Sequence, residues 1–286
     1  MKKVTEKAYA KINLGLDILG KREDGYHEVC MIMQSIGLAD EIVITPGQGL
    51  EITTDMPGLS CGPDNLAYKA AELLAKHAGL VPDVHIALHK KIFLAAGLAG
   101  GSSDAAAVLR GLNKFWKLQL SVKQLEALAA QLGSDVPFCI QGGTAVARGR
   151  GEVLEPLPDL PESIVVLAKP RNLEISTAWV YQHYHPGRVI QHPVIWRLAE
   201  LIPQGISPMK AYFGNVLETV TIPANPSIAS VKAAMLNAGA KYTMMSGSGP
   251  TVFAFADTVE QAQKLVAALA DFAVETAITT TVGRIK

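Results

Sequence analysis

The chain has only three cysteines in 286 residues, Cys30, Cys61 and Cys139, far apart and without a CxxC pair. That leaves no basis for a disulfide framework or a cysteine-held metal, and points to a reduced, cytoplasmic setting with each thiol a small core side chain. Net charge is lacking as well: 26 basic residues balance 26 acidic ones, with no block of one sign. Neither nucleic acid nor an anionic membrane surface is therefore an expected partner. The longest apolar stretch, around Ile92–Gly101, is too short and glycine-rich to cross a bilayer. Near the N-terminus, Lys7, Lys11, Asn13 and Asp17 interrupt any run that could serve as a signal segment. No internal repeat or low-complexity tract is present.

What stands out instead is Ile92–Phe93–Leu94–Ala95–Ala96–Gly97–Leu98–Ala99–Gly100–Gly101–Ser102–Ser103–Asp104, followed by an alanine run. The alternating stretch Val84–His89 before it reads as a strand, and Ser102–Trp116 after it as a helix. A glycine-rich turn from strand to helix directs backbone N–H groups, at the positive end of the helix dipole, towards a bound anion. No lysine lies between Lys91 and Lys114, so the P-loop pattern fails, and the GxGxxG dinucleotide pattern fails too. On these residues alone two readings stay open: a phosphate cradle, or a tight steric turn with Ser102 or Ser103 as helix N-cap.

Prolines 156, 158 and 161 mark a junction within Leu154–Glu162. Before it, periodicity predicts strands at Thr5–Ala8, Ile12–Leu19, Cys30–Ile36, Glu41–Thr45, Val84–His89 and Gly143–Ala147. Helices are predicted at Asn65–Ala78, Ser102–Trp116 and Ser121–Leu132. After it, strands are expected at Ser163–Ala168, Tyr242–Met245, Thr251–Ala256 and Ala277–Val282. The accompanying helices are Ser176–His183, Pro193–Leu201, Ile228–Asn237 and Val259–Ala270, the pattern of an α+β domain of split βαβ type. His183, His185 and His192 share one polar stretch, but no acidic or cysteine partner nearby supports a metal site.

Four further segments carry polar residues that a plain core would not require. In Ala8–Asp17, Lys11 and Asn13 share one strand face, opposite Ile12, Leu14 and Leu16. Taken alone, Lys11 reads as a solvated edge charge. In Arg22–Glu28 an Asp–Gly turn carries Tyr26 and His27 and could be an ordinary hairpin tip. In Gly133–Phe138, Asp135 precedes a proline and could simply cap a new helix. Ser246–Gly247–Ser248–Gly249–Pro250 links two strands and could be a plain connection.

Taken in order, Ala10–Leu14, Arg22–His27, Ala96–Ala106, Gly133–Phe138 and Ser246–Pro250 resemble the motifs of the GHMP kinase superfamily. Its members include galactokinase, homoserine kinase and mevalonate kinase. The Asp24–Gly25–Tyr26–His27 segment is similar to the branch that phosphorylates a methylerythritol carrying a cytidine diphosphate. The resemblance implies a two-domain α+β fold with the active site between the domains. Residues 1–155 would form the N-terminal mixed β/α ATP-binding domain and 156–286 a C-terminal ferredoxin-like split βαβ domain.

The activity it implies is ATP-dependent phosphorylation of a hydroxyl in the non-mevalonate route to isoprenoids. ATP with Mg²⁺ would serve as cofactor, and a small cytidine diphosphate compound as partner, in a monomer or weak homodimer. Asp135 would orient the hydroxyl and take its proton, with Lys11 beside it offsetting charge on the moving phosphoryl group. Phe93, Leu94, Ala95, Ala96, Gly97, Leu98, Ala99, Gly100, Gly101, Ser102 and Ser103 would cradle the ATP phosphates. Asn13, Tyr26, His27, Thr177 and Tyr181 would contact the substrate, with Tyr26 and His27 at the cytosine and Tyr181 the opposing aromatic. No protein ligand for the metal is assigned beyond Ser103 as a candidate.

Two departures from the family pattern, Phe93 for a proline and Ala99 for a frequent glycine, alter loop stiffness without removing a phosphate donor. A kinase for another alcohol, of homoserine or mevalonate type, and an inactive binding protein of the same fold are the competing readings. The stretch from Gln182 to Pro208 matches no family motif.

Overall fold

The structure, a computed structural model, describes residues 3–285. Two long antiparallel strands, β1 (Val4–Lys21) and β2 (His27–Pro46), run side by side through its centre. Next come β3 (Leu50–Thr54), α1 (Leu66–Ala78), β4 (Val84–His89), α2 (Gly100–Trp116), α3 (Val122–Ala129), α4 (Val136–Gln141), β5 (Thr144–Gly149) and β6 (Val153–Pro156). The second half contributes β7 (Ile164–Pro170), α5 (Thr177–His183), α6 (Ile195–Leu201), β8 (Gly214–Asn215), α7 (Glu218–Ala224) and α8 (Pro226–Asn237). The chain closes with β9 (Thr243–Met245), β10 (Val252–Ala256), α9 (Val259–Ala267) and β11 (Val274–Thr280).

Among the described residues, seven strands form one sheet, β3-β4-β2-β1-β8, with β5 pairing on β2 and β6 on β5. A second sheet has the antiparallel order β11-β7-β10-β9. That order, with α8 and α9 packed on its strands, is the split βαβ topology expected from the sequence. The short strand β8 pairs parallel to β1 through Gly15 and Leu16, so the second half of the chain also completes the first sheet.

The separate strands read from periodicity merge into β1 and β2 because register shifts at Tyr9/Lys11, Asn13/Gly15 and Ile18/Gly20 interrupt strict alternation. Both faces of β1 are covered. Ala10, Ile12 and Leu14 pack with Val165, Leu167 and Phe253 of the second sheet, while Leu16 and Ile18 join the core that includes the α2 side chains. Lys11 is consequently 4 % exposed, not a solvated edge charge.

The buried Arg110 on α2 positions the next element. It donates to Glu6 Oε2 (3.2 Å), to the Lys7 carbonyl (2.7 Å) and to the Cys139 carbonyl in α4 (2.6 Å). One guanidinium thus fixes α4, and with it Asp135 just before it, relative to β1. The Gln182–Pro208 segment lies along β1 as well: His192 Nδ1 is 2.7 Å from Asp17 Oδ1, and Ile195 and Leu198 crowd Gly15. Among the described residues no His, Cys, Asp and Glu group is arranged to hold a metal. His183 and His185 instead bond to the Trp179 carbonyl and the Gly187 N–H.

Candidate active site

Asp135 occupies the cap position of α4, but its side chain makes no capping bond. The capping alternative therefore falls away. Its Oδ2 lies 3.6 Å from Lys11 Nζ, across a pair whose carboxylate side is 31 % exposed and whose ammonium is buried. Lys11 is held from behind by Asn13 Oδ1 at 2.9 Å. The same oxygen accepts the Gly247 N–H at 3.0 Å. Asn13 is fully buried and does not line the cleft, so the structure places it behind Lys11 and not on the substrate-facing wall.

The glycine-rich loop leaves β4 and turns into α2, which begins at Gly100, two residues before the expected start. Ala99, not a serine, is the residue at the helix cap, in left-handed conformation with φ 59°. Ser103 is turned inward, donating to the Tyr9 carbonyl at 2.6 Å, which removes it as a metal ligand. Leu98 also faces the core. The other predicted loop residues, Phe93–Gly97 and Ala99–Ser102, line one cleft of ≈ 700 Å³. First-turn N–H groups of a helix have no intrahelical acceptor, so this end of α2 presents donors to an anion in the cleft.

The loop apex rests on the second glycine turn. Ser246 Oγ donates to the Gly97 carbonyl at 2.9 Å, and Thr251 N–H to the Ala96 carbonyl at 3.4 Å. Gly97 has φ 72°, and a Cβ there would run into the Ser246 carbonyl oxygen and lie 2.9 Å from that of Gly249. Only glycine fits this contact. Ser246–Pro250 is thus part of the site and no mere connection. Thr177, at the start of α5, joins it through Oγ1 to Ser248 Oγ at 2.9 Å.

Aromatic groups line the same cleft. The His27 ring lies 5.5 Å from that of Tyr181, tilted by 35°, and meets Tyr184 edge-on at 6.1 Å. Tyr181 thus stands beside His27 on the wall of the cleft. Tyr26 is 55 % exposed, with the Arg150 guanidinium 5.0 Å above its ring. Burial, with Lys21 nearby, lowers the His27 pKa and favours the neutral imidazole. Burial, then the charge of Asp135, raises the Tyr181 hydroxyl and keeps it protonated. Lys11, Tyr26, His27, Thr177, Tyr181 and Asp135 all line the one cleft.

Sequence reasoning missed Lys90, Ser134, Arg150, Gln182 and Ser248 on the same walls. Arg150 carried a readable signal, a basic residue between two glycines, both of which take positive φ.

A helix-end anion cradle and a carboxylate–ammonium pair lining one cleft make the arrangement of a phosphotransferase acting on a small molecule. Comparison with known proteins agrees. The N-terminal domain of GHMP kinases matches residues 65–143 and their C-terminal domain matches residues 183–275. The chain is 48 % identical to a 4-diphosphocytidyl-2-C-methyl-D-erythritol kinase from Synechococcus sp. (strain JA-2-3B'a(2-13)), covering 89 % of this chain and 86 % of that one. It is 44 % identical to one from Gloeobacter violaceus, over 94 % and 91 % of the two chains. A solved 4-(cytidine 5'-diphospho)-2C-methyl-D-erythritol kinase superposes with TM-score 0.84 at 35 % identity, over 98 % and 99 % of the chains. The chain belongs to the GHMP kinases and, within them, to the 4-diphosphocytidyl-2-C-methyl-D-erythritol kinase family.

Proposed function

We propose that the chain transfers the γ-phosphoryl group of ATP to a hydroxyl of 4-diphosphocytidyl-2-C-methyl-D-erythritol, a step of the non-mevalonate isoprenoid pathway. The observation that carries this reading is that the Lys11–Asp135 pair, the Gly97–Ser102 turn, Tyr26 and His27 line the same cleft. The backbone of the loop and the first turn of α2 hold the phosphates. Asp135 accepts a hydrogen bond from the substrate hydroxyl, aims its oxygen at phosphorus and receives the proton as the new bond forms. Lys11 offsets the charge that spreads over the transferred group. A loose transition state asks little basicity of Asp135, so orientation is its main contribution.

Tyr26 offers a face for the cytosine ring, and neutral His27 a hydrogen-bond partner at its edge, with Thr177 and Tyr181 completing the wall. Magnesium would travel with ATP on phosphate oxygens and water, because Asp135 is the one carboxylate among the lining residues. We also infer two domains divided near residue 155, supported by the change of sheet between β6 and β7. The solved homoserine kinase and mevalonate kinase, at 19 % and 18 % identity, share the fold and carry no argument about substrate.

A substrate panel tests the reading. ATP turnover should depend on the cytidine diphosphate substrate and be absent with homoserine or mevalonate. Equal turnover with another alcohol, or none in folded protein, removes it.

A further inference from the structure

Beneath the glycine-rich loop lies a cluster of charges that phosphoryl transfer leaves unused. Lys90 Nζ bonds to Asp40 Oδ2 on β2 at 2.5 Å and to Asp104 Oδ2 in the second turn of α2. The three side chains are nearly inaccessible, at 2 %, 0 % and 4 % exposure. Asp40 uses its other oxygen to accept the N–H groups of Lys91 (2.5 Å) and Ile92 (2.8 Å), gripping the chain where it leaves β4 for the loop. Asp104 has no such second duty: its Oδ1 is buried without a hydrogen-bond partner.

One ammonium therefore faces two carboxylates, although Asp40 by itself would neutralise it. A surplus buried carboxylate with an unpaired oxygen costs stability. Its burial, reinforced by Asp40 and opposed by Lys90, raises the Asp104 pKa above the ordinary carboxylate range. The fold alone gives no reason to keep such a group. Its location does. Lys90 lines the cleft beside Gly100 and Gly101, while Asp104 sits one turn further along the same helix. Through Lys90, Asp104 ties residues 90–92, where the loop begins, to α2, where it ends.

We propose that Asp104 is a positioning residue for the nucleotide, acting through Lys90 to clamp the two ends of the Phe93–Ser102 loop in the phosphate-receiving form. A loop clamped at both ends has less freedom left to lose when ATP binds, so its affinity is higher. The proposal rests on ATP as the phosphoryl donor.

The test compares Asp104→Ala and Asp104→Asn with the wild-type chain by steady-state kinetics, by calorimetric titration with a non-hydrolysable ATP analogue, and by Tm. Loss of the charge-assisted bond should raise the ATP KM and the analogue Kd roughly tenfold in Asp104→Ala. The KM for the cytidine substrate should stay within about twofold. Asp104→Asn keeps an oxygen towards Lys90 and should recover part of the ATP affinity. If Asp104→Ala does not fold, a rise of about threefold in Asp104→Asn, again confined to ATP, is the expected result. A plain structural strut would lower Tm while leaving ATP KM and analogue Kd at wild-type values. That outcome, or a parallel rise in both KM values, overturns the proposal. A wild-type chain that fails to bind the analogue takes down the ATP reading as well, whereas equal binding by wild type and variants removes the proposal alone.

Discussion

Lys11 holds its ammonium 2.9 Å from the Asn13 amide oxygen but 3.6 Å from the Asp135 carboxylate. The cation of the pair is thus anchored to its own strand, and the carboxylate, free of capping duty, remains available to a substrate hydroxyl. Asn13 reaches further: the oxygen that steadies Lys11 also accepts the Gly247 N–H, linking the pair to the second glycine turn.

Asp135 and Asn13 should consequently fail in different degrees. Asp135→Asn keeps the shape and an oxygen to orient the hydroxyl but removes the charge that takes the proton, and kcat should fall by at most about 10²–10⁴ with Tm preserved. Asn13→Ala leaves Lys11 and the Gly247 N–H without their shared acceptor, and kcat should fall about tenfold with both KM values nearly unchanged. Turnover near wild type in folded Asp135→Asn would remove it from the reaction. A KM effect dominating in Asn13→Ala would put Asn13 on the substrate.

Tyr26 presents the most exposed aromatic face in the cleft, backed by Arg150. Base–aromatic stacking is worth about 1–3 kcal/mol, so Tyr26→Ala should raise the KM for the cytidine substrate about tenfold or more without moving that for ATP. Arg150→Ala should give the same selectivity at smaller amplitude. An unchanged cytidine KM in Tyr26→Ala excludes the ring from the site.

Burial and Lys21 lower the His27 pKa below its ordinary 6.5, and this fixes the sign of a pH effect. The folded chain then binds fewer protons than the unfolded chain just below pH 6.5, so His27 makes stability fall as pH drops through that window and is silent above it. The KM for the cytidine substrate should stay flat from pH 8 down through the ordinary histidine range and rise only in more acidic buffer. Titration of the His27 ring by NMR, alongside KM against pH, checks this. A midpoint above 6.5 contradicts it.

Two small residues of the loop should respond in opposite directions. Gly97→Ala drives a methyl into the Ser246 carbonyl at a positive φ and should abolish most activity. Ala99 and Ala95 already hold φ of 59° and 47°, a conformation that glycine takes without strain. Ala99→Gly should keep the fold and raise Tm slightly, worth at most about 1 kcal/mol. A loss of stability in Ala99→Gly would mean that stiffness in the unfolded chain outweighs strain in the folded one.

Much of this was legible in the residues. Lys11, Asp135 and the Gly97–Ser102 turn, which the structure gathers at one cleft, were singled out by motif resemblance, and the second sheet by its alternation of strand and helix. The edge strands β3 and β6 went unread because they are short and carry no strong period. The exposure of Lys11 was misjudged because alternation describes a strand covered on one side, whereas β1 has the second sheet on its Ile12 and Leu14 face and the helical core with Asp135 on the Lys11 face. The start of α2 was set two residues late because a serine is the usual cap, and here an alanine in left-handed conformation takes that position. Asp40, Lys90 and Asp104 escaped notice because Lys90 lies 50 positions from Asp40, and local pattern says nothing of such encounters.

The seat of Gly97 has a consequence for how the protein is made. Its carbonyl is held by Ser246, 149 positions further along the chain. During synthesis the cradle emerges from the ribosome long before its support, so nascent chains shorter than Pro250 have the loop sequence without its mould. The capacity to hold a nucleotide therefore arrives late and abruptly in the life of each molecule, when the Ser246–Pro250 turn finally meets it.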